Sequence, residues 1–260
     1  MLQLPQMEMY FLTAITLLTA VLAVKLFSNG LFRTYRAFTT FLVISVLRVI
    51  VMRTVTLSPI RYRDFFIATE SIQLVLYVWI VMELYSLTFR KFDGIRTASH
   101  LAMGSALLVS LLLSFLSLST DMAARAKPSI ALLDQFMIAE RGVVFTMVLL
   151  ILLITAFLVY FPVPLPSNLI LHSAVFAVYF LSKSALILYR NLSGSTADRM
   201  VSLGVMGLAG LCLCTWIAAM RPAGESSSLI VGHLWDPAEE QRLIAQLKGV
   251  NSALARISRE

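Results

Sequence analysis

Apolar runs of about 20 residues recur along this chain, and each is long enough to cross the hydrocarbon core of a bilayer as a helix. Because most connections between them are short, neighbouring helices should be antiparallel. The sequence therefore predicts an all-α fold, a polytopic bundle of seven transmembrane helices. The predicted spans cover residues 9–28, 35–56, 67–89, 97–119, 142–161, 167–189 and 200–220.

Composition excludes an ordinary soluble domain. Hydrophobic residues make up 59% of the chain and charged residues 13%, against about 45–50% and about 25% in soluble domains. The net charge of +7 does not indicate nucleic-acid binding, because most basic residues flank apolar runs, where lipid headgroups account for them. The lipid bilayer is the first predicted partner, and nucleic acid is not a predicted partner.

The distribution of basic residues predicts the orientation. With the N-terminus outside, 11 Lys and Arg residues fall on the inner side and eight on the outer side. Cytoplasmic loops carry the excess of positive charge in membrane proteins. The prediction is a multi-pass protein of a bacterial plasma (inner) membrane, with the C-terminus in the cytoplasm.

The chain changes character after the seven-helix domain, which is predicted to cover residues 1–221. Residues 222–235 are rich in small and polar residues and predict a flexible linker. Residues 236–260 predict an amphipathic helix, with Asp236 as its N-cap. Its apolar residues alternate at spacings of four and three, which is typical of a coiled coil. This seam should pair with a second copy, another protein or the membrane face, and it comprises Leu243, Leu247, Val250, Leu254 and Ile257.

Arg48 and Arg53 of the second apolar run and Glu70 of the third lie at membrane depth, where ionisable groups are costly unless they are paired. Counting outward from a loop centred near Arg61 puts Arg53 and Glu70 at equal depth on antiparallel helices. We therefore predict a structural ion pair between Arg53 and Glu70. Arg48 should then bond to Gln73 or Tyr77.

The sixth run places His172, Tyr179 and Lys183 along one helical face. Lys183 falls in the same outer half of the bundle as the polar residues of the second and third runs. One hypothesis is a polar cavity for a small anionic or zwitterionic ligand or a lipid headgroup. The alternative is that Lys183 pairs with Glu70 or extends to the interface. The predicted ligand residues are Arg48, Glu70, Gln73, Tyr77, Tyr179 and Lys183.

Other functional classes have weaker support in the sequence. A small secondary transporter or proton-coupled permease is the alternative function, with Glu83 and His172 on a proton path. The odd number of helices and the lack of an inverted repeat count against it. No motif of a known enzyme class is present and the histidines lack metal-ligand spacing, so we predict a non-enzymatic protein without metal or cofactor.

The segments RYRDFFIATESIQLVLYVWIVMELYSLTFRKF and LWDPAEEQRLIAQLKGVNSALAR are similar in layout to uncharacterised bacterial seven-helix membrane proteins. The same layout resembles the seven-helix input modules of bacterial sensor kinases, in which a cytoplasmic coiled coil follows the membrane domain. The likeness concerns architecture rather than a sequence motif. It implies a sensor-like or scaffolding protein, a membrane domain that reports through its C-terminal helix.

Overall fold

The computed structural model describes residues 6–55, 59–122, 128–193, 198–229 and 236–257, and these residues are almost entirely helical. The predicted all-α class is therefore confirmed. The helices are α1 (Gln6–Ser28), α2 (Arg36–Thr54), α3 (Pro59–Thr88), α4 (Asp93–Met122), α5 (Pro128–Tyr160), α6 (Ser167–Ser193), α7 (Asp198–Ala219), α8 (Ala223–Ser226) and α9 (Pro237–Ile257). A 3₁₀ turn at Leu31–Arg33 follows α1.

Six of the helices have the length and apolar composition to cross a membrane. The spans are Met9–Ser28, Arg36–Thr54, Asp64–Thr88, Gly142–Tyr160, Ser167–Leu186 and Met200–Ala219. The chain is therefore a multi-pass membrane protein. The predicted span 97–119 lies within α4, but many side chains in its second half are outside the described residues. The count of seven spans stays a prediction.

Large apolar side chains point outward on the spanning helices, which fits a lipid environment. Leu17 on α1, Val75 on α3 and Leu153 on α5 are each exposed over 60% or more of their surface. In water such surfaces would promote aggregation, whereas lipid tails solvate them. The buried positions of the same helices are also mostly apolar, and on α3 they include Tyr77 and Tyr85.

Packing divides the chain into two units, and the division falls inside α3 and α6. The first unit comprises Met1–Trp79 and Val175–Pro222. In it α1 packs against α2 and α7, and the Lys25 ammonium donates to the Ile217 carbonyl in the last turn of α7. A cation at this position satisfies a carbonyl that the helix itself leaves without a partner.

An aromatic cluster forms the core of the first unit. The ring centroid of Phe38 lies 5.6 Å from that of Phe176 and 4.7 Å from that of Trp216. The rings of Phe176 and Trp216 are themselves 4.9 Å apart. These tilted and edge-on arrangements are the favourable ones for aromatic pairs. The cluster joins α2, α6 and α7.

The second unit comprises Ile80–Ala174 and Ala223–Glu260, so the C-terminal segment packs with it rather than forming a separate domain. Here α4 packs against both α5 and α9. The Tyr85 hydroxyl of α3 donates to the Leu150 carbonyl of α5 over 2.8 Å. This bond satisfies a buried phenol that has no access to water.

Part of the predicted linker, residues 222–235, has regular secondary structure, in α8 and in a short strand. Ser228–Leu229 (β2) pairs antiparallel with Leu165–Pro166 (β1). The Asn168 amide donates to the Glu225 carboxylate over 2.8 Å. Ser227 bonds to Ser167 at the start of α6. Residues 230–235 lie outside the described residues.

The C-terminal helix α9 packs on α4 of its own chain. Leu243 and Leu247 are buried, whereas Val250 is 54% exposed. Asn251 follows Val250 in the sequence. The side-chain oxygen of Asn251 accepts hydrogen bonds from the backbone N–H groups of Gly94 and Ile95 over 2.9 and 3.2 Å. The first amides of a helix need such an acceptor.

The predicted seam for an external partner is thus partly occupied within the chain. The face of α9 that packs on α4 includes Asn251 instead of Val250, because the Asn251 side chain accepts hydrogen bonds from the first amides of α4. Leu254 is half-buried, and the Ile257 side chain lies outside the described residues.

We expect Gly94→Ala to release α9 from α4. A Cβ at Gly94 would overlap the Asn251 carbonyl oxygen, and overpacking of this kind costs about 1–3 kcal/mol. Limited proteolysis and amide hydrogen exchange of residues 236–257 should therefore both increase. Gly249→Ala is the matched control, since a Cβ there meets nothing within 4 Å. Equal protection of α9 in both variants would contradict the proposed close contact.

Candidate functional site

A cavity of about 310 Å³ lies within the first unit, between α1, α2, α3, α6 and α7. Its volume is at the lower end of the range for small-molecule sites. The lining is mostly apolar, with a few polar side chains, which is also typical of such sites. Four of the six predicted ligand residues line it: Arg48, Gln73, Tyr77 and Tyr179.

Arg48 pairs with Glu70, which corrects the predicted pairing of Arg53 with Glu70. The Nη1 to Oε2 distance is 2.6 Å, and the two side chains are only 13% and 14% exposed. The helix α3 begins at Pro59, several residues before the apolar run suggested. Arg61, the predicted centre of the loop, therefore lies within α3, and Glu70 lies level with Arg48 instead of Arg53.

Arg53 has a different environment from the one predicted. Its Nη2 donates to the Thr13 hydroxyl over 2.6 Å, and its side chain lines the cavity. Among the described residues no carboxylate lies within ion-pair distance of it. The two arginines therefore exchange their predicted roles: Glu70 neutralises Arg48, and Arg53 supplies the positive charge at the cavity.

The opposite end of the cavity is aromatic. The hydroxyls of Tyr77 and Tyr179 are 3.2 Å apart and share a hydrogen bond. The Tyr77 ring centroid lies 5.1 Å from that of Phe41. The Lys183 ammonium lies 5.4 Å from the Tyr77 centroid, which is within range of a cation–π interaction. Glu70 and Lys183 thus touch lining residues but are not among the described residues that line the cavity.

The structure adds lining residues that the sequence reasoning missed. Thr16, Thr19 and Ser45 also line the cavity. Both threonines donate to the carbonyl four residues earlier, whereas the buried Ser45 hydroxyl has no hydrogen-bond partner in the described part of the chain. On α2, Phe41, Ser45 and the residues beyond recur at helical spacing, a periodicity that could have identified this face from sequence.

The predicted proton path is not part of this cavity. Glu83 and His172 belong to the second unit, where Glu83 is half-buried and His172 is fully buried. All residues that line the cavity belong to the first unit. A transporter built on Glu83 and His172 stays a prediction.

Comparison with models of protein families, with curated proteins and with solved structures gave no match. The resemblance to sensor-kinase input modules therefore rests on the sequence layout alone. What the cavity can do follows from its chemistry: it offers a guanidinium at one end, hydroxyl groups along its length and aromatic rings at the other end.

We expect Glu70→Gln to destabilise the protein by about 3 kcal/mol or more, because it leaves the Arg48 charge buried without its carboxylate. The double variant Arg48→Gln with Glu70→Gln should recover much of this loss, since it removes both charges. Unfolding in detergent micelles, followed by circular dichroism, would measure the difference. A loss in the double variant as large as in Glu70→Gln would contradict the pairing.

Proposed function

We propose that this protein is a receptor-like, non-enzymatic membrane protein that binds a small ligand in the first-unit cavity. The observation that carries the proposal is the polar lining of an otherwise apolar cavity. It contains the Ser45 hydroxyl, which lacks a hydrogen-bond partner among the described residues, and Arg53, which no described carboxylate neutralises. Both residues line the cavity.

The energetics support an occupied cavity. A buried hydroxyl without a partner costs about 1–3 kcal/mol, and hydrocarbon cannot supply the missing bond. Native proteins satisfy the great majority of their buried polar groups, so an exception calls for an explanation. A ligand with a polar group at Ser45 or at Arg53 would gain a bond that hydrocarbon does not supply, and its binding free energy would include that bond.

A cavity-filling variant tests ligand binding without assuming the ligand's identity. Ala209 lines the cavity, and Ala209→Phe should occupy space that the ligand needs. Native mass spectrometry of protein in nanodiscs should show a retained small molecule in the wild type and none in this variant. Ala14→Phe is the matched control, because Ala14 is exposed on α1 and does not line the cavity. A wild-type protein that retains no small molecule would contradict the proposed function.

The second part of the proposal concerns the setting of the protein. We place it in a bacterial inner membrane, with the N-terminus outside and the C-terminus in the cytoplasm. In this arrangement α4 also crosses the membrane, which brings the number of spans to seven. The excess of basic residues on the proposed inner side supports this orientation. The layout shared with sensor-kinase input modules supports a signalling or scaffolding role. In that role α9 would report on the membrane domain through its apolar seam.

Release of α9 is the step that would allow it to pair. Leu243 and Leu247 are buried in the described structure, so a second copy or a protein partner could reach them only after α9 leaves α4. An undocked α9 has the apolar spacing of a short coiled coil, which is marginal alone and needs a partner.

We expect a chain truncated before Asp236 to keep its cavity ligand but to lose self-association or partner capture. The truncation removes the whole apolar seam and leaves every cavity residue in place. Crosslinking in membranes, with the ligand content measured on the same sample, would test this. Assembly unchanged by the truncation would contradict the role of α9.

A further inference from the structure

We infer that the ligand is a single-tailed amphiphile with one anionic headgroup, held with its headgroup at Arg53. The inference rests on the proposed function, since it names the chemical class of the occupant of the same cavity. Three features of the cavity lead to it: the location of its positive charge, the length of its apolar wall and its volume.

The positive charge lies at one end of the cavity. Arg53 is the penultimate residue of α2, so its guanidinium lies close to the end of a membrane span. Its contact with the neutral Thr13 hydroxyl leaves the charge available to an anion. Arg48 cannot take this role, because Glu70 already neutralises it. An anionic headgroup should therefore bind at the Arg53 end.

The apolar wall extends inward from that end. Along α2 the lining residues run from Arg53 to Phe41, a distance of about 18 Å at 1.5 Å per residue. Most of these α2 residues are apolar, Val49 among them, and the stretch also includes Ser45 and the neutralised Arg48. Phe176 and Trp216 contribute at the aromatic end. A charged rim followed by a long apolar wall complements an amphiphile whose tail points toward the middle of the membrane.

The surrounding lipid decides which part of the ligand confers selectivity. An apolar tail gains little by moving from lipid into an apolar cavity, because lipid tails are equally apolar. The headgroup contact with Arg53 must therefore supply the preference for the protein. A neutral amphiphile of the same length should stay in the bilayer. The volume of about 310 Å³ suits one tail rather than the two tails of a phospholipid.

The test uses the full-length protein in phosphatidylcholine nanodiscs, with dodecanoate, dodecyl phosphate and dodecanol as probes. Mildly alkaline buffer keeps the carboxylate ionised. Native mass spectrometry should show both anions bound and dodecanol absent. Arg53→Gln should weaken binding of the anions by about tenfold, the typical worth of a hydrogen bond to a charged group. Arg53→Lys should retain part of the affinity.

Arg61→Gln is the matched control, since Arg61 is exposed on α3 and does not line the cavity. It should bind both anions as the wild type does. Nanodiscs that contain phosphatidylglycerol distinguish a lipid headgroup from a single-tailed anion. Retention of phosphatidylglycerol in preference to both probes would overturn the single-tail assignment.

The remaining outcomes separate this inference from the proposed function. Equal binding of dodecanol and dodecanoate, or anion binding unchanged in Arg53→Gln, would overturn the inference while a ligand site still exists. A wild-type protein that retains no probe and no native small molecule would overturn both. Size-exclusion profiles of each variant establish that the protein remains folded.

Discussion

Hydrocarbon offers no hydrogen bonds, and this constraint governs where each polar group of the spanning helices can lie. The threonines follow it locally: Thr16 and Thr146 each donate to the carbonyl four residues earlier in their own helix. Charged groups need a partner on another helix instead. Lys25 bonds to the end of α7, and Arg48 bonds to Glu70. These bonds fix α1 against α7 and α2 against α3.

At the cavity this constraint is only partly met. Arg48 lines it and is neutralised by Glu70. Arg53 donates to the neutral Thr13 hydroxyl but has no described carboxylate within ion-pair distance, and the buried Ser45 hydroxyl has no hydrogen-bond partner among the described residues. A protein interior in lipid tolerates such groups where they line a site, since polar and ionisable groups at membrane depth are usually functional. Under the proposed function, the paired arginine has a structural role and Arg53 binds the ligand.

The need for hydrogen-bond partners also explains the position of the C-terminal helix, outside the predicted spans. The N-terminal amides of α4 need acceptors, and Asn251 of α9 supplies one oxygen to two of them. A polar residue within an apolar seam fixes the register of paired helices. The contact is close because Gly94 has no side chain. Docking of α9 and its proposed pairing with a partner therefore compete for Leu243 and Leu247.

The sequence by itself determined the class of the protein: apolar runs of membrane length could form only helices in lipid, and their periodicity indicated which residues share a face. It also identified four residues of the cavity, because Arg48, Gln73, Tyr77 and Tyr179 are polar groups at membrane depth. The sequence did not determine which residues pair between helices. A shift of a few residues in the turn before α3 moved Glu70 from Arg53 to Arg48, and helical periodicity contains no information on that shift. Only the tertiary structure decided which arginine is neutralised, that α9 docks on its own chain, and that part of the linker is ordered, because each depends on contacts between residues distant in sequence.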